Sequence, residues 1–227
     1  MKSKNTFTLI IFLIITTLAF SSCNDDGYSL DKFWLEFGTI EKTGDNEYQI
    51  VLDKGPVLFP SVSNVPARTL ENNTRVFADF TILQDATPGS DVDHYVKVNG
   101  LQELLTKPIV PYKESISDSL GMDPIELPEY WIANDFITFR FFYGGGSTIT
   151  HMVNLTQHEG ETADGRVLLE FRHNAYNDPE NTSRNGYVSF PLKETFGEVK
   201  DSVELQIRYK AFDQTEKTID ITYRPRK

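Results

Sequence analysis

Few side chains in this 227-residue chain have the type and spacing to carry chemistry. Cys23 is the only thiol. Of the 4 histidines, His151 and His173 fall on the apolar phase of neighbouring predicted strands. Two imidazoles on adjacent strands could share a metal. Zinc sites use three or four ligands, however, and no third ligand stands at a telling spacing, so no metal is expected. The stretch Arg172–Pro179 (RHNAYNDP) is rich in oxygen donors but lacks the alternating acidic spacing of a calcium loop. Asn and Asp bond to their own backbone, which makes it a structural turn. No serine lies in a Gly-x-Ser-x-Gly elbow. Gly144-Gly145-Gly146-Ser147 lacks the Gly-Lys-Ser/Thr ending of a phosphate loop and reads as a hairpin turn. The acidic pairs Asp25/Asp26 and Glu159/Glu161 read as solvated carboxylates, because a glycosidase pair needs a fixed separation in space. The expectation is a protein without catalytic residues or cofactor, and not an enzyme.

Cys23 carries the clearest signal. Lys2 and Lys4 precede an apolar run, Phe7 to Phe20, with threonines as its only polar members. The run is shorter than the roughly 20 residues of a spanning helix, and small residues follow it, as in a secretory signal peptide. Phe20-Ser21-Ser22-Cys23 resembles a lipobox, with phenylalanine where leucine is usual. The resemblance implies cleavage after Ser22 and acylation of Cys23, and two or more acyl chains make a stable anchor. Asn24-Asp25-Asp26 resembles the signal that sends Bacteroidetes lipoproteins to the outer face of the outer membrane. The expected location is therefore the outer membrane, lipid-anchored and displayed at the cell surface.

Charge narrows the partners. The chain has 22 basic and 33 acidic residues, and removing Lys2 and Lys4 with the leader leaves a net charge of −13. A field of that sign repels phosphate backbones, so no nucleic-acid partner is expected. With Cys23 committed to lipid, no disulfide is possible and the fold must stand on its core. The partners left are the membrane, through the anchor, and an unidentified protein or glycan.

Alternating apolar residues dominate the mature chain. Val203, Leu205, Ile207 and Tyr209 share one phase and Ile219, Ile221 and Tyr223 another, which predicts a closing hairpin. Ile137 to Tyr143, Ile149 to Leu155, Val167 to Phe171 and Tyr187 to Leu192 repeat the pattern. About six strands of this spacing suit a β-sandwich over 128–227. Upstream, Phe33 to Glu41, Glu47 to Asp53, Val76 to Ile82 and His94 to Val98, with Leu101 to Leu105 as a short helical turn or strand, suit a small barrel over 33–112. Residues 23–32 read as a tether. Pro108, Pro111, Pro124 and Pro128 bracket a Ser- and Asp-rich stretch, and residues 113–127 read as a linker. Trp34, Trp131, Phe139, Phe141 and Tyr143 are assigned to cores; Phe142 is off phase and reads as a surface contact or inter-domain filler.

Asp118-Ser119-Leu120 and Asp201-Ser202-Val203 resemble the Asp-Ser/Thr-apolar motif of Bacteroidetes envelope O-glycosylation, making Ser119 and Ser202 candidates. Phe171-Arg172-His173-Asn174-Ala175, Asn185-Gly186-Tyr187-Val188-Ser189-Phe190 and the closing strand pair, with the lipobox, resemble the NigD-like lipoproteins of Bacteroidetes. That resemblance implies an all-β chain with an N-terminal OB-like barrel followed by a C-terminal β-sandwich. It implies no catalytic residues. It points to a surface binding or accessory module, with bacteriocin immunity as an alternative and an envelope enzyme or glycan-binding protein as another.

Overall fold

The computed structural model describes residues 27–146, 148–179, 181–199 and 201–226. The signal-peptide region, Cys23 and Asn24–Asp26 lie outside them.

Five strands close the barrel: β1 (Trp34–Lys42), β2 (Tyr48–Leu52), β3 (Val57–Ser63), β4 (Arg75–Asp85) and β5 (His94–Glu103). Their order around the barrel is β1-β2-β3-β5-β4, with β3 and β5 parallel and the other pairs antiparallel. Inward residues alternate as expected. Ile40, Ile50, Leu58, Val76, Ala78, Phe80, Val96 and Val98 fill the interior. Each fully buried side chain of the larger kind contributes about 1.5–3 kcal/mol. Gly38 lets β1 and β2 approach: a Cβ there would stand 2.9 Å from Ile50 Cγ2 and 3.0 Å from Val51 O.

Nine strands build the second unit. They are β6 (Leu105–Thr106), β7 (Val110–Pro111), β8 (Ile125–Ala133), β9 (Phe136–Gly145), β10 (Met152–Glu161), β11 (Val167–Asn174), β12 (Thr182–Pro191), β13 (Val203–Lys210) and β14 (Glu216–Tyr223). One sheet runs β14-β13-β11-β10-β7 and the other β6-β12-β9-β8. Phe139, Phe171 and Phe190 meet between the sheets at centroid distances of 5.2, 6.1 and 6.2 Å, near perpendicular. Edge-to-face packing of this kind adds to area burial. Short helices, Ser117–Leu120 and Leu192–Phe196, complete the fold.

The strand map corrects the sequence reading in four places. β3 and β8 were not expected, because Pro60 and Pro128 interrupt their alternation. β5 is one strand to Glu103, where a strand ending at Val98 and then a short helical turn or strand were expected. β10 runs on to Glu161 through residues expected to be loop. The barrel ends at Glu103, not 112: β6 and β7 already belong to the sandwich sheets. Pro111 is tolerated because β7 is an edge strand.

Residues 113–127 are not a free linker. Arg172 is buried and its guanidinium needs acceptors. It donates to Gly121 O at 2.7 Å and to Ser117 O at 3.1 Å, and Asp123 accepts the Ala175 amide at 2.7 Å. Gly121 holds a left-handed φ of +72°, and a Cβ there would fall 2.5 Å from His173 O. The segment is strapped to the sandwich.

Candidate functional site

The barrel and the sandwich meet on faces that alternation alone would leave wet. On β4 the outward phase carries Arg75 and Phe77; on β9 and β12 it carries Thr138, Tyr187 and Ser189. Arg75, Thr138 and Ser189 are fully buried. Arg75 makes a fork-to-fork pair with Asp53 at 2.5 and 2.6 Å, bonds to Thr39 at 3.0 Å, and reaches Thr138 across the seam at 3.1 Å. Asp53 in turn accepts Trp131 Nε1–H at 2.6 Å and Asn134 Nδ2–H at 3.3 Å, both from the sandwich. Phe37 packs on Trp131 and Tyr187 at 5.2 and 5.0 Å. One buried ion pair thus takes bonds from both units.

Beside this rivet opens a cleft of about 390 Å³. The barrel contributes Thr39, Glu41 and Asn73 to it. The sandwich contributes Asn134, Asp135, Phe136 and the start of the helix at Lys193 and Glu194. Arg226 crosses it: its guanidinium pairs with Glu41, and its amide donates to Asp135 at 2.9 Å. Asn73, Asn134 and Asp135 all hold left-handed φ, between 50° and 64°. Asn and Asp tolerate that conformation better than other side-chain-bearing residues. Amides, carboxylates and cations line the cleft, with the buried Phe136 beneath them. This is a lining for a polar ligand that both donates and accepts hydrogen bonds.

The structure brings His151 and His173 together, but not as metal ligands. His151 Nδ1 lies 3.0 Å from His173 Nε2, and His151 Nε2 lies 3.0 Å from Asp178. The bond between the two rings takes its direction from their tautomers, and the other nitrogen of His151 meets the Asp178 carboxylate. Burial, reinforced by His151, lowers the His173 pKa to about 4. His173 Nδ1 is buried without a partner. The Gly146 amide donates to Asp178 and, with His151, holds its carboxyl below the ordinary range. The side chains of His151 and Asp178 are only 4% and 3% exposed, so no substrate reaches them. The chain clasps the end of β9, at Gly146, to the 175–178 loop; Gly144 and Gly145, expected in a hairpin turn, pair with Ser183 and Thr182 as strand. Among the described residues no three His, Cys, Asp or Glu side chains converge as a metal site requires.

Other expected residues fall as follows. Ser119 and Ser202 are both exposed, and Ser119 Oγ donates to Ile116 O at 2.7 Å. Phe142 lies half-buried under the Arg140 guanidinium, 5.0 Å from its ring, and is not at the seam. Trp131, assigned to the core, is the inter-domain filler instead. Trp34 stacks on Phe80 at 6.2 Å. Glu159 and Glu161 are exposed. Asp53, Arg75 and Asn134 were not anticipated. Their one sequence signal is the aromatic Phe77 on the outward phase of β4.

A closed five-stranded barrel riveted to a two-sheet sandwich defines a two-unit, all-β chain with a cleft at the seam. The same division appears in known families: residues 37–104 match the NigD-like N-terminal OB domain and residues 108–223 the NigD-like C-terminal beta sandwich domain. The chain belongs to the NigD-like family. Among solved structures, a Parabacteroides distasonis ATCC 8503 protein provisionally described as toxin related is 32% identical, with a TM-score of 0.69 over 85% of this chain and 94% of that one. A Bacteroides vulgatus ATCC 8482 protein of unknown function is 25% identical, with a TM-score of 0.69 over 85% of this chain and 91% of that one. A NigD-like immunity protein from Bacteroides caccae ATCC 43185 shares the fold at 20% identity and a TM-score of 0.63, covering 88% of this chain and 100% of that one. No curated protein matches the chain.

Proposed function

We propose that the protein is a non-catalytic lipoprotein, anchored in the outer membrane through Cys23 and displayed at the cell surface, that binds a protein or glycan partner in the seam cleft. The observation that carries this reading is the cleft itself. It is assembled from both units beside a buried ion pair that ties them together, and walls held in place before binding lower the ordering cost of association. Its mixed hydrogen-bonding lining suits a peptide segment or a sugar. Asn24–Asp26, directly after Cys23, supports display.

The test is photo-crosslinking on living cells from a probe placed at Lys193. Capture of one partner, lost when Glu194→Lys and Asn134→Ala are introduced, is the expected outcome. Capture unaffected by both substitutions would move the binding face elsewhere. Cys23→Ala should abolish labelling by a fatty-acid probe; undiminished label would remove the anchor. Bacteriocin immunity is a narrower form of the same reading, favoured by the description of the 32%-identical relative as toxin related. A deletion strain no more sensitive to toxins of rival strains would rule it out.

A further inference from the structure

The first described residues carry the two most exposed large apolar side chains among the described residues. Leu30 is 73% exposed, Phe33 63%, Leu35 49% and Tyr28 43%. Leu35 occupies the outward phase of β1, in line with Phe37, which the sandwich covers, and Phe33 directly precedes the strand. Nothing among the described residues covers the other two. The segment is nevertheless fixed to the barrel. The Tyr28 hydroxyl donates to Asp85 at 2.5 Å, Asp85 bonds to His94 Nδ1 at 2.8 Å, and the Tyr28 and His94 rings meet edge to face. A turn closed by Lys32 N–H on Ser29 O presents Leu30 outward.

We propose that Tyr28, Leu30, Phe33 and Leu35 form a bilayer-docking face that seats the barrel on the membrane beside its own anchor. The inference rests on the acylation of Cys23. Tyr28 is five residues beyond that cysteine, so a fully extended chain separates them by at most ~18 Å. The headgroup layer on each side of a bilayer is roughly 5–8 Å deep. An anchored thiol therefore keeps this face within reach of the membrane at all times. Aromatic and leucine side chains are the residues that insert at the interface between headgroups and acyl chains. The net charge of −13 disfavours attraction to anionic lipid, so insertion of apolar side chains, rather than charge, holds the face down. A second copy of the chain is the weaker occupant: four side chains fall well short of the ~800 Å² per partner of a standard interface. The seam cleft, to which β1 contributes Thr39 and Glu41 on the same phase, then has a fixed relation to the membrane rather than swinging on a tether.

Cys23 is the only thiol, which permits a test independent of native acylation. The chain from residue 23 onward is coupled through Cys23 to a maleimide lipid in phosphatidylcholine vesicles, and amide exchange over residues 28–36 is followed by mass spectrometry. The same chain capped with N-ethylmaleimide in solution is the reference. Several-fold slower exchange on vesicles is expected, abolished in Leu30→Ser/Phe33→Ser/Leu35→Ser coupled to the same extent. Equal exchange of the unsubstituted chain on vesicles and in solution overturns docking. So does a capped chain that sediments as a dimer with the segment already protected. The anchor is judged separately: a native Cys23 without acyl mass overturns acylation, while the vesicle measurement still decides whether this face binds a bilayer.

Discussion

Replacing Asp53 by alanine tests whether the seam is held as described. Arg75 is fully buried and Asp53 retains 8% side-chain exposure. The substitution strands the guanidinium: it keeps Thr39 and Thr138 but loses both carboxylate bonds, and Trp131 Nε1–H loses its acceptor. Removing one partner of a buried pair costs about 3–5 kcal/mol, because the remaining charge is uncompensated. For a chain of this size that is a fall of roughly 10 °C or more in Tm. The assay is urea denaturation followed by tryptophan fluorescence and far-ultraviolet circular dichroism. The two probes should coincide for the parent and separate in the variant, as barrel and sandwich lose their coupling. Arg75→Met/Asp53→Leu should cost less than Asp53→Ala alone, since it removes the stranded charge along with its partner. A loss under about 1 kcal/mol for Asp53→Ala, or a double variant as costly as both singles summed, would refute the account.

Three further outcomes are expected. His173 has a folded pKa of about 4 against an ordinary 6.5, so the unfolded chain holds the extra proton between those values and stability falls as pH drops through that window. The loss is about 3 kcal/mol at most, and His173→Gln should flatten the pH dependence of denaturation between pH 6.5 and 4 relative to the parent. Gly121→Ala should cost on the order of 2 kcal/mol by thermal melt, because the left-handed φ and the close His173 carbonyl both oppose a Cβ. Glycosylation of Ser119 would appear as a mass increment on the native chain that disappears in Ser119→Ala; an unmodified native mass would dispose of it.

The inward phases were legible. Leu205, Ile207 and Tyr209 alternate in sequence and are buried together, as the period of two requires. The outward phases were not. Thr138, Ser189 and Arg75 have the composition of a solvated face, yet each is fully buried, because a second unit covers them. No local pattern distinguishes a polar side chain facing water from one facing another polar side chain across a seam. Phe37 and Phe77 were the exceptions, aromatic residues on the wrong phase. The histidine pair shows the reverse. Its two residues could be singled out from their strand phases, but the third member, Asp178, lies in a turn whose acidic residue looked like any other. The Pro-rich stretch misled for a physical reason: proline forbids a central strand but not an edge one, and β7 lies at an edge.

β6 and β7 follow the barrel's last strand within eight residues and enter opposite sheets of the sandwich, each in parallel. The connection between the two units is therefore itself woven into one of them. A partner bound in the cleft, as proposed, would be recognised by its fit to walls that both units supply. A longer or shorter ligand of the same chemistry would be met by the same walls, so selectivity between relatives is expected to follow substitutions at the cleft's rim, not the length of the connection.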